Sequence, residues 1–353
     1  MKRRQCVVIN GKFYSQTVTG VQRYAREMLL ELDKIAQGLP KLIVLTDRNA
    51  RDVPNFKNIL VVKSKRFVGN LWEQVSLPLF AARKKAVCLS LCNMAPILKP
   101  DMVVIHDVSY KVNRHLFSFK FALWYNLVFS LIIKRIKLII TVSEFSRSEI
   151  SRCYNIDPEK ITVTYNGWQH LSRIYGDKKA LEKYSLTPRR YFFSMSSMAP
   201  NKNFQWIANA ARFNPDSEFV VSGAVNDKVF GNIFNFEIPQ NLKFVGYVSD
   251  EEAKELTANC RAFLFPSFYE GFGIPPLEAI SCGAKAVVSD ASCMREIFGE
   301  HVYYISPYKP DVDLSQLLSK PCPPADELLE KYSWEKSARI LYNSIKSLCD
   351  SDG

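Results

Sequence analysis

The sequence predicts an α/β protein of two domains, each built around a parallel β-sheet. At 353 residues the chain is long for one hydrophobic core and suits two domains. Short apolar runs typical of buried strands alternate with polar or helical segments, which is the rhythm of a parallel sheet. We therefore expect a first domain over residues 1–168, a linker over 169–188, a second domain over 189–332, and a final helix and tail over 333–353.

The most informative stretch is the segment FPSFYEGFGIPPLEAISCG at residues 265–283. The apolar residues 261–265 just before it read as a buried strand. Pro275 and Pro276 suit the first turn of a helix, and Gly283 suits the position just beyond a helix end. The stretch is therefore predicted to be a strand, a glycine-rich loop and a short helix.

This loop has the chemistry of a ligand site. Gly271 and Gly273 let the backbone approach a ligand, and the helix start offers unpaired N–H groups to an anion. Glu270 and Glu278 are eight positions apart. Their carboxylates can accept hydrogen bonds from two sugar hydroxyl groups in different parts of one ligand. The alternative is a solvated loop with a capping acid. A Gly-Phe-Gly loop between a buried strand and a helix is unfavourable for folding, so we expect it to have a function.

The same stretch resembles the Glu-x7-Glu motif of retaining glycosyltransferase family 4. That family has the GT-B fold, in which two Rossmann-like domains face each other across a cleft and the final helix crosses back to the first domain. The resemblance implies that Glu270 holds the donor sugar and Glu278 the nucleotide ribose, with Gly271, Phe272 and Gly273 beside the donor. It spans nearly the whole chain and is strongest in the second domain. It implies that the first domain binds the acceptor and that the second domain binds the nucleotide-sugar.

A second motif precedes the apolar helix that starts at Phe204. A lysine at a helix start opposes the helix dipole unless an anion sits there, which favours Lys202 as a phosphate ligand over a solvated side chain. The family's equivalent lysine binds the donor diphosphate. Ser196 and Asn201 are by resemblance donor-binding positions at which many relatives carry arginine, so we expect fewer cations around the donor phosphates.

The resemblance implies further contacts with the donor nucleotide-sugar. Gly20 opens a predicted helix and abuts the diphosphate, although a plain helix start explains this glycine as well. Gly223 ends a predicted strand, and the backbone of Tyr247 and Val248 lies against the base.

His106 and Asp107 follow a buried strand over residues 102–105. Open α/β sheets bind ligands at the carboxyl ends of their strands. By resemblance His106 contacts the donor sugar, and Asp107 orients it or assists the acceptor; a buried core histidine is the alternative. Glu144 is predicted to face the acceptor. The alternative is that this acid, in the first turn of a helix, only complements the helix dipole.

Neither a metal nor another cofactor is expected. Asp311 and Asp313 resemble the acid pair of metal-dependent sugar transferases, but they follow Pro310 at a helix start, where acids are good caps. Nine cysteines without a CxxC pair predict neither a disulfide framework nor a zinc site, and they favour a reducing, cytoplasmic setting. We read the last helical stretch as residues 325–348.

Charge is divided unevenly along the chain. Residues 1–165 carry 27 Lys and Arg against 12 Asp and Glu, a net charge of +15, and the rest carries −3. Nucleic acid, an anionic membrane surface or a diphosphate-linked substrate would explain this. The aromatic and aliphatic stretch 117–137 has basic ends and reads as a core helix or an interfacial surface. Its longest near-apolar run, residues 121–133, is too short to span a bilayer.

These observations predict a metal-independent retaining hexosyltransferase. Its expected donor is GDP-mannose, with dTDP-rhamnose or a UDP-sugar as alternatives. Its expected acceptor is a saccharide, lipid-linked, in bacterial surface polysaccharide (O-antigen or capsule) synthesis at the inner face of the membrane. The rivals are an epimerase or phosphorylase with the same fold and a basic nucleic-acid-binding protein. The last is disfavoured because aromatic residues are not interleaved with the basic clusters.

Overall fold

The computed structural model describes residues 6–114, 119–196, 199–223 and 238–351. The chain divides into two compact units. The first unit comprises Met1–Asn166 and Ser333–Gly353, and the second unit comprises Gly167–Tyr332. Residues 169–188, where we expected a linker, lie in the second unit and include the 3-10 helix Gln169–Arg173 and the helix Ala180–Lys183.

The first unit contains a parallel sheet with the strand order β3-β2-β1-β4-β5-β6-β7. Its strands are β1 Cys6–Asn10, β2 Lys41–Thr46, β3 Leu60–Lys63, β4 Val87–Ser90, β5 Met102–Val104, β6 Leu138–Thr141 and β7 Ile161–Val163. The central strands are apolar runs because both faces of a parallel sheet are covered by helices. The strand order reverses between β1 and β4, so the connections that leave these neighbours run in opposite directions.

The helices of the first unit begin where the sequence supplies caps. Thr19 and Gln22 form a capping box at the start of the first long helix, and the Ser143 side chain accepts a hydrogen bond from Ser146 N. The α-helices are Gly20–Ile35, Gly69–Leu71, Leu77–Arg83, Ser109–Val112, Phe119–Ile132, Glu144–Tyr154 and Trp334–Ser351, with shorter turns at Lys12–Ser15, Trp72–Ser76 and Pro158–Lys160.

The C-terminal helix packs on the first long helix, as the fold prediction required. Trp334 is buried, and its ring meets the Tyr24 ring edge-on with centroids 6.0 Å apart. The Tyr342 hydroxyl donates a hydrogen bond to Gln37 O at 2.8 Å. The prediction of one helix over residues 325–348 was wrong, because Tyr332 has extended backbone (φ −103°, ψ 110°) and separates two helices.

The second unit contains a parallel sheet with the order β10-β9-β8-β11-β12-β13. Its strands are β8 Tyr191–Met195, β9 Glu218–Ser222, β10 Leu242–Gly246, β11 Ala262–Phe265, β12 Ala286–Ser289 and β13 Tyr303–Ile305. Here the order reverses between β8 and β11. The longer helices are Phe204–Phe213, Asp250–Asn259, Ile274–Ser281 and Met294–Phe298, followed by Leu314–Leu318 and Asp326–Lys331.

None of the helices in the described parts of the chain combines the length and the apolar character needed to cross a bilayer. The most apolar of them, Phe119–Ile132, has 14 residues.

We predict that Trp334→Ala lowers the free energy of unfolding by about 3–5 kcal/mol, because it leaves a large cavity beside Tyr24. Ile340→Ala on the same helix is the control; this residue is 37% exposed, whereas Trp334 is 1% exposed, so its truncation should cost less, about 1 kcal/mol. Urea unfolding followed by circular dichroism measures both. Equal losses for the two variants would contradict the packing described above.

Candidate functional site

The predicted donor-site residues of the second unit lie in loops at one edge of its sheet. In a parallel sheet all carboxyl ends meet at the same edge, and ligands bind where the strand order reverses. The loop after β8 carries Lys202, and the loop after β11 carries Glu270. Because β8 and β11 are the neighbours at the reversal, these two motifs flank the position at which this class of sheet binds ligands.

Lys202 and Glu270 form an ion pair. The Lys202 ammonium lies 2.6 Å from Glu270 Oε1, with the side chains 22% and 13% exposed. The ammonium also lies 5.5 Å from the centroid of the Phe265 ring. The anion beside Lys202 in this structure is the Glu270 carboxylate, and binding of the donor phosphate by Lys202 stays a prediction. Two side chains from separate motifs, 68 positions apart, form one charged site.

Asn203 holds the lysine loop in place. Its backbone is left-handed (φ +56°), and its side-chain amide donates hydrogen bonds to Pro266 O at 3.0 Å and to Pro307 O at 2.8 Å. Asparagine adopts this conformation more readily than most residues. The amide therefore ties the loop after β8 to the loops after β11 and β13 before any ligand binds.

The glutamate loop is held by its own contacts. Phe268 N donates to Asn201 O at 2.9 Å, and Glu270 N donates to the Ser292 hydroxyl at 3.1 Å. Asn201 thus contributes its backbone carbonyl to the junction between the two loops. The positions of Lys202 and Glu270 are thus set by backbone contacts on both sides.

Gly273 is required by the turn into the helix Ile274–Ser281. Its φ is +90°, and a Cβ at this position would lie 2.9 Å from Met294 Cε. The neighbouring Phe272 ring is buried and meets the Tyr332 ring edge-on at 5.3 Å. The Gly-Phe-Gly loop is therefore anchored by its aromatic side chain and shaped by its second glycine.

Glu278 has a partner that the sequence did not reveal. His170 Nε2 lies 2.7 Å from Glu278 Oε1, and the histidine is buried. His170 belongs to the 3-10 helix Gln169–Arg173, within the segment expected to be a linker. The contact orients the carboxylate that the resemblance assigns to the nucleotide ribose.

The remaining predicted donor contacts of the second unit reach the same edge of the sheet. Ser196 N donates to Ser222 O at 3.1 Å, and Gly223 N donates to Gly246 O at 2.9 Å. These bonds join the loops that follow β8, β9 and β10. Tyr247 is exposed beside them and Val248 is buried.

In the first unit His106 is buried, and its Nε2 lies 2.9 Å from Leu91 O. Because a carbonyl oxygen only accepts, Nε2 carries the hydrogen. Burial lowers the pKa of His106, so the ring is held neutral and its Nδ1 keeps a lone pair. The ring meets Tyr24 edge-on at 4.8 Å. This tautomer allows Nδ1 to accept a hydrogen bond from a ligand.

Three other predicted site residues have local roles in the first unit. Asp107 Oδ1 accepts a hydrogen bond from Ser109 N at 2.8 Å. Glu144 is in the first turn of its helix and pairs with Arg147 at 2.6 Å, while Gly20 is the first residue of its helix. Contacts of Asp107, Glu144 and Gly20 with a substrate stay predictions.

Residues 177–320 match the family of glycosyl transferases group 1. This segment is a group 1 glycosyltransferase domain. It lies within the second unit and contains Lys202, Glu270 and Glu278.

Sequence relatives with curated descriptions are sugar transferases. O-antigen chain mannosyltransferase B of Escherichia coli is 31% identical over 232 residues, covering 60% of this chain and 61% of the relative. O-antigen chain mannosyltransferase RfbU of Salmonella typhimurium is 26% identical over 245 residues, covering 68% of this chain and 66% of the relative. A Campylobacter jejuni transferase is 23% identical, and the match covers 73% of this chain and 75% of the relative. The name of that transferase specifies a saccharide linked to diphospho-undecaprenol. The chain thus spans less than two thirds of the length of the first two relatives.

Solved structures with the same fold cover nearly the whole chain. Sucrose-phosphate synthase from Thermosynechococcus elongatus has a TM-score of 0.75 at 14% identity, covering 99% of this chain and 100% of that one. WaaG, a glycosyltransferase involved in lipopolysaccharide biosynthesis, has a TM-score of 0.62 at 16% identity, covering 98% of each. The GT-B fold predicted from the sequence is confirmed.

The interpretation of Asp313 as a helix cap is confirmed. Asp313 Oδ1 accepts a hydrogen bond from Gln316 N at 2.9 Å at the start of the helix Leu314–Leu318. Across the described ranges, no three His, Cys, Asp or Glu side chains are grouped to hold a metal ion.

Sequence-based prediction missed three residues that support the site of the group 1 domain, namely Asn203, Ser292 and His170. An asparagine immediately before a helix was a usable sign for Asn203. No local pattern indicated the other two, because Ser292 contacts a residue 22 positions away and His170 one that is 108 positions away.

We predict that Asn203→Ala destabilises the protein by about 2 kcal/mol more than Asn155→Ala. Both asparagines have left-handed backbone, but Asn155 is exposed, so this control carries the backbone strain alone. The difference is the loss of two buried hydrogen bonds. Chemical denaturation measures both variants, and equal destabilisation would show that the amide does not hold the loops.

Proposed function

We propose that this chain is a retaining glycosyltransferase that moves a hexose from a nucleotide diphosphate sugar to a saccharide acceptor in surface polysaccharide synthesis. The observation that carries the proposal is the Lys202–Glu270 pair at the strand reversal of a group 1 domain. The relatives named as O-antigen chain mannosyltransferases support mannose as the sugar, and GDP-mannose as the donor. If the donor is dTDP-rhamnose or a UDP-sugar, the sugar that is moved differs, but the type of reaction is the same.

The chemistry depends on charge at the leaving group. As the bond from the anomeric carbon to the diphosphate oxygen breaks, negative charge grows on the diphosphate, and a preorganised cation there lowers the barrier. Lys202 supplies that cation, sharing it between Glu270 and the phosphate once the donor is bound. Glu270 then accepts a hydrogen bond from a donor-sugar hydroxyl, and Glu278, oriented by His170, accepts from the ribose.

Transfer with retention follows from attack on the face that the diphosphate leaves. The acceptor hydroxyl oxygen forms the new bond to the anomeric carbon, and a departing diphosphate oxygen takes its proton. This route uses neither a side-chain nucleophile nor a metal. The neutral His106 accepts a hydrogen bond from a sugar hydroxyl through Nδ1, because Nε2 is already committed to Leu91 O.

We predict that Lys202→Ala lowers turnover about 100- to 1,000-fold, because one charge-stabilising group is lost from the transition state. Release of GDP from GDP-mannose in the presence of a mannose-terminated acceptor is the measurement. Lys243→Ala is the matched control, since Lys243 also pairs with a glutamate in the second unit, Glu218 at 3.3 Å. Near-normal turnover of a folded Lys202 variant would rule out its role at the leaving group.

We further propose that the helix Phe119–Ile132 rests on an anionic membrane surface, where a lipid-linked acceptor is reached. Leu123, Leu127 and Leu131 are 55%, 52% and 42% exposed at four-residue spacing, so they form one apolar stripe. Lys134, Arg135 and Lys137 follow the helix in the strongly basic part of the chain. Apolar side chains flanked by basic ones fit an anionic lipid surface.

We predict that wild-type protein floats with vesicles containing phosphatidylglycerol, and that Leu127→Glu/Leu131→Glu abolishes this binding by burying charge against anionic lipid. Leu98→Glu is the control, because Leu98 is exposed in the same unit and lies outside the stripe. Added salt should weaken the wild-type binding. Undiminished flotation of the double variant would contradict the assignment of this surface.

A further inference from the structure

His106 is held by contacts on several sides. Its Nε2 donates to Leu91 O at 2.9 Å, and its backbone N donates to Asn93 Oδ1 at 2.7 Å. Its backbone O accepts a hydrogen bond from the Ser146 hydroxyl at 3.0 Å. Tyr24 meets the imidazole edge-on, with ring centroids 4.8 Å apart and an angle of 88° between the ring planes. The hydrogen bonds fix the backbone and one ring nitrogen, and the Tyr24 ring restrains the tilt of the imidazole.

The Tyr24 hydroxyl is anchored by a buried network of hydroxyl groups. The Thr164 hydroxyl donates to Thr141 O at 3.3 Å, so it accepts the hydrogen bond from the Tyr24 hydroxyl, at 2.7 Å. The Thr141 hydroxyl donates at 2.7 Å to the backbone O of Ile105, the residue before His106. Tyr24, Thr141 and Thr164 are each 0% exposed. The network therefore joins the Tyr24 ring to the chain segment that carries His106.

The C-terminal helix supports Tyr24 as well. Trp334 is the first residue of the helix Trp334–Ser351 and is 1% exposed. Its ring lies 6.0 Å from the Tyr24 ring, at an angle of 71°. Edge-on aromatic pairs prefer one relative geometry, so contacts with both His106 and Trp334 restrain the Tyr24 ring more than its hydroxyl alone would.

The network at Tyr24 specifies an arrangement of groups. An apolar side chain could fill the position of Tyr24 without needing a buried hydrogen-bond partner, whereas a buried hydroxyl must find one. Burial raises the pKa of Tyr24, so its hydroxyl stays protonated. Buried polar networks whose groups are satisfied rigidify the groups that they join. Here the network holds a ring against the neutral imidazole of His106, whose Nε2 is committed to Leu91 O.

We propose that Tyr24 is a positioning residue for His106 in the transfer reaction. Its ring holds the imidazole in the orientation and tautomer in which Nδ1 accepts a hydrogen bond from a sugar hydroxyl, and Thr164 and Trp334 hold the ring. Tyr24 itself needs no contact with the substrate. Without the ring, the imidazole can tilt and can exchange its hydrogen between Nε2 and Nδ1. The role of Tyr24 in transfer rests on the proposed function, whereas its effect on the imidazole does not.

Nitrogen NMR of the full-length chain, labelled with isotopic histidine, tests the positioning directly. The chain has four histidines, and comparison with His106→Gln assigns the His106 signals. In the wild type we expect one set of signals, with hydrogen on Nε2 and none on Nδ1. Tyr24→Phe keeps the ring and should keep this pattern. Tyr24→Leu removes the ring and should give signals averaged over both tautomers.

A double-mutant cycle shows whether Tyr24 acts through His106. The measurement is release of GDP from GDP-mannose in the presence of a mannose-terminated acceptor. Tyr24→Leu should lower kcat about 10-fold and change the donor KM less than about 2-fold, because a hydrogen bond made in the transition state is weakened. In the His106→Ala background the same change should lower kcat less than about 2-fold, because that hydrogen bond is already absent. Equal losses in both backgrounds would show that Tyr24 does not act through His106.

Tyr14→Leu is the matched control. Tyr14 is another buried tyrosine of the first unit, 1% exposed, and its ring contacts Phe13 and Arg26. This variant should keep the His106 signals and turnover of the wild type. If Tyr24→Leu does not fold, Tyr24→Met also removes the ring, and its flexible side chain fills more of the space. Unchanged His106 signals in the folded variants without the ring would overturn the proposal.

Failure of the positioning and failure of the proposed function give different results, because the NMR measurement uses no substrate. If loss of the Tyr24 ring disturbs the His106 signals but the wild type transfers no sugar, the positioning stands and the proposed transfer fails. If the wild type transfers mannose and the variants without the ring keep both the His106 signals and full turnover, the transfer stands and Tyr24 does not position His106. Disturbed signals with full turnover would show that transfer does not depend on the orientation of His106, which also overturns the proposal.

Discussion

The contact between Lys202 and Glu270 depends on two strands that are neighbours in space and distant in sequence. β8 and β11 lie side by side at the reversal of strand order, so their carboxyl-end loops meet. A lysine at the start of one helix and a glutamate before another thereby come within 2.6 Å. The rest of the second unit determines this contact. The strand order decides which loops are neighbours, and the helix starts decide where each loop ends.

Side chains outside the charged pair keep its geometry. The Asn203 amide joins loops that follow three different strands, and the Ser292 hydroxyl accepts from the backbone of Glu270. His170 restrains Glu278 in the same way. Electrostatic stabilisation of a leaving group is most effective when the charged groups need little reorganisation during the reaction. These contacts provide that preorganisation through groups that need not touch the substrate.

Both units have a lysine–glutamate pair at the edge of the sheet, and the two pairs differ in burial. Each has a lysine and a glutamate in contact at the carboxyl edge where its strand order reverses. In the first unit the Glu73 side chain is 3% exposed and also accepts a hydrogen bond from the Asn10 amide. In the second unit both partners are more exposed, at 22% for Lys202 and 13% for Glu270.

The sequence by itself determined the fold class, most element positions and several helix caps, because these follow from neighbouring residues. Continuous apolar runs predicted the strands, and Asp313 proved to be a helix cap. It also singled out Lys202, Glu270 and Glu278 from local motifs. Only the tertiary structure decided that Lys202 meets Glu270, that His170 orients Glu278, and that Lys12 pairs with Glu73. It also decided the helix break at Tyr332, whose buried ring packs on the distant Phe272. Such contacts depend on strand order and long-range packing, which the periodicity of a sequence does not encode.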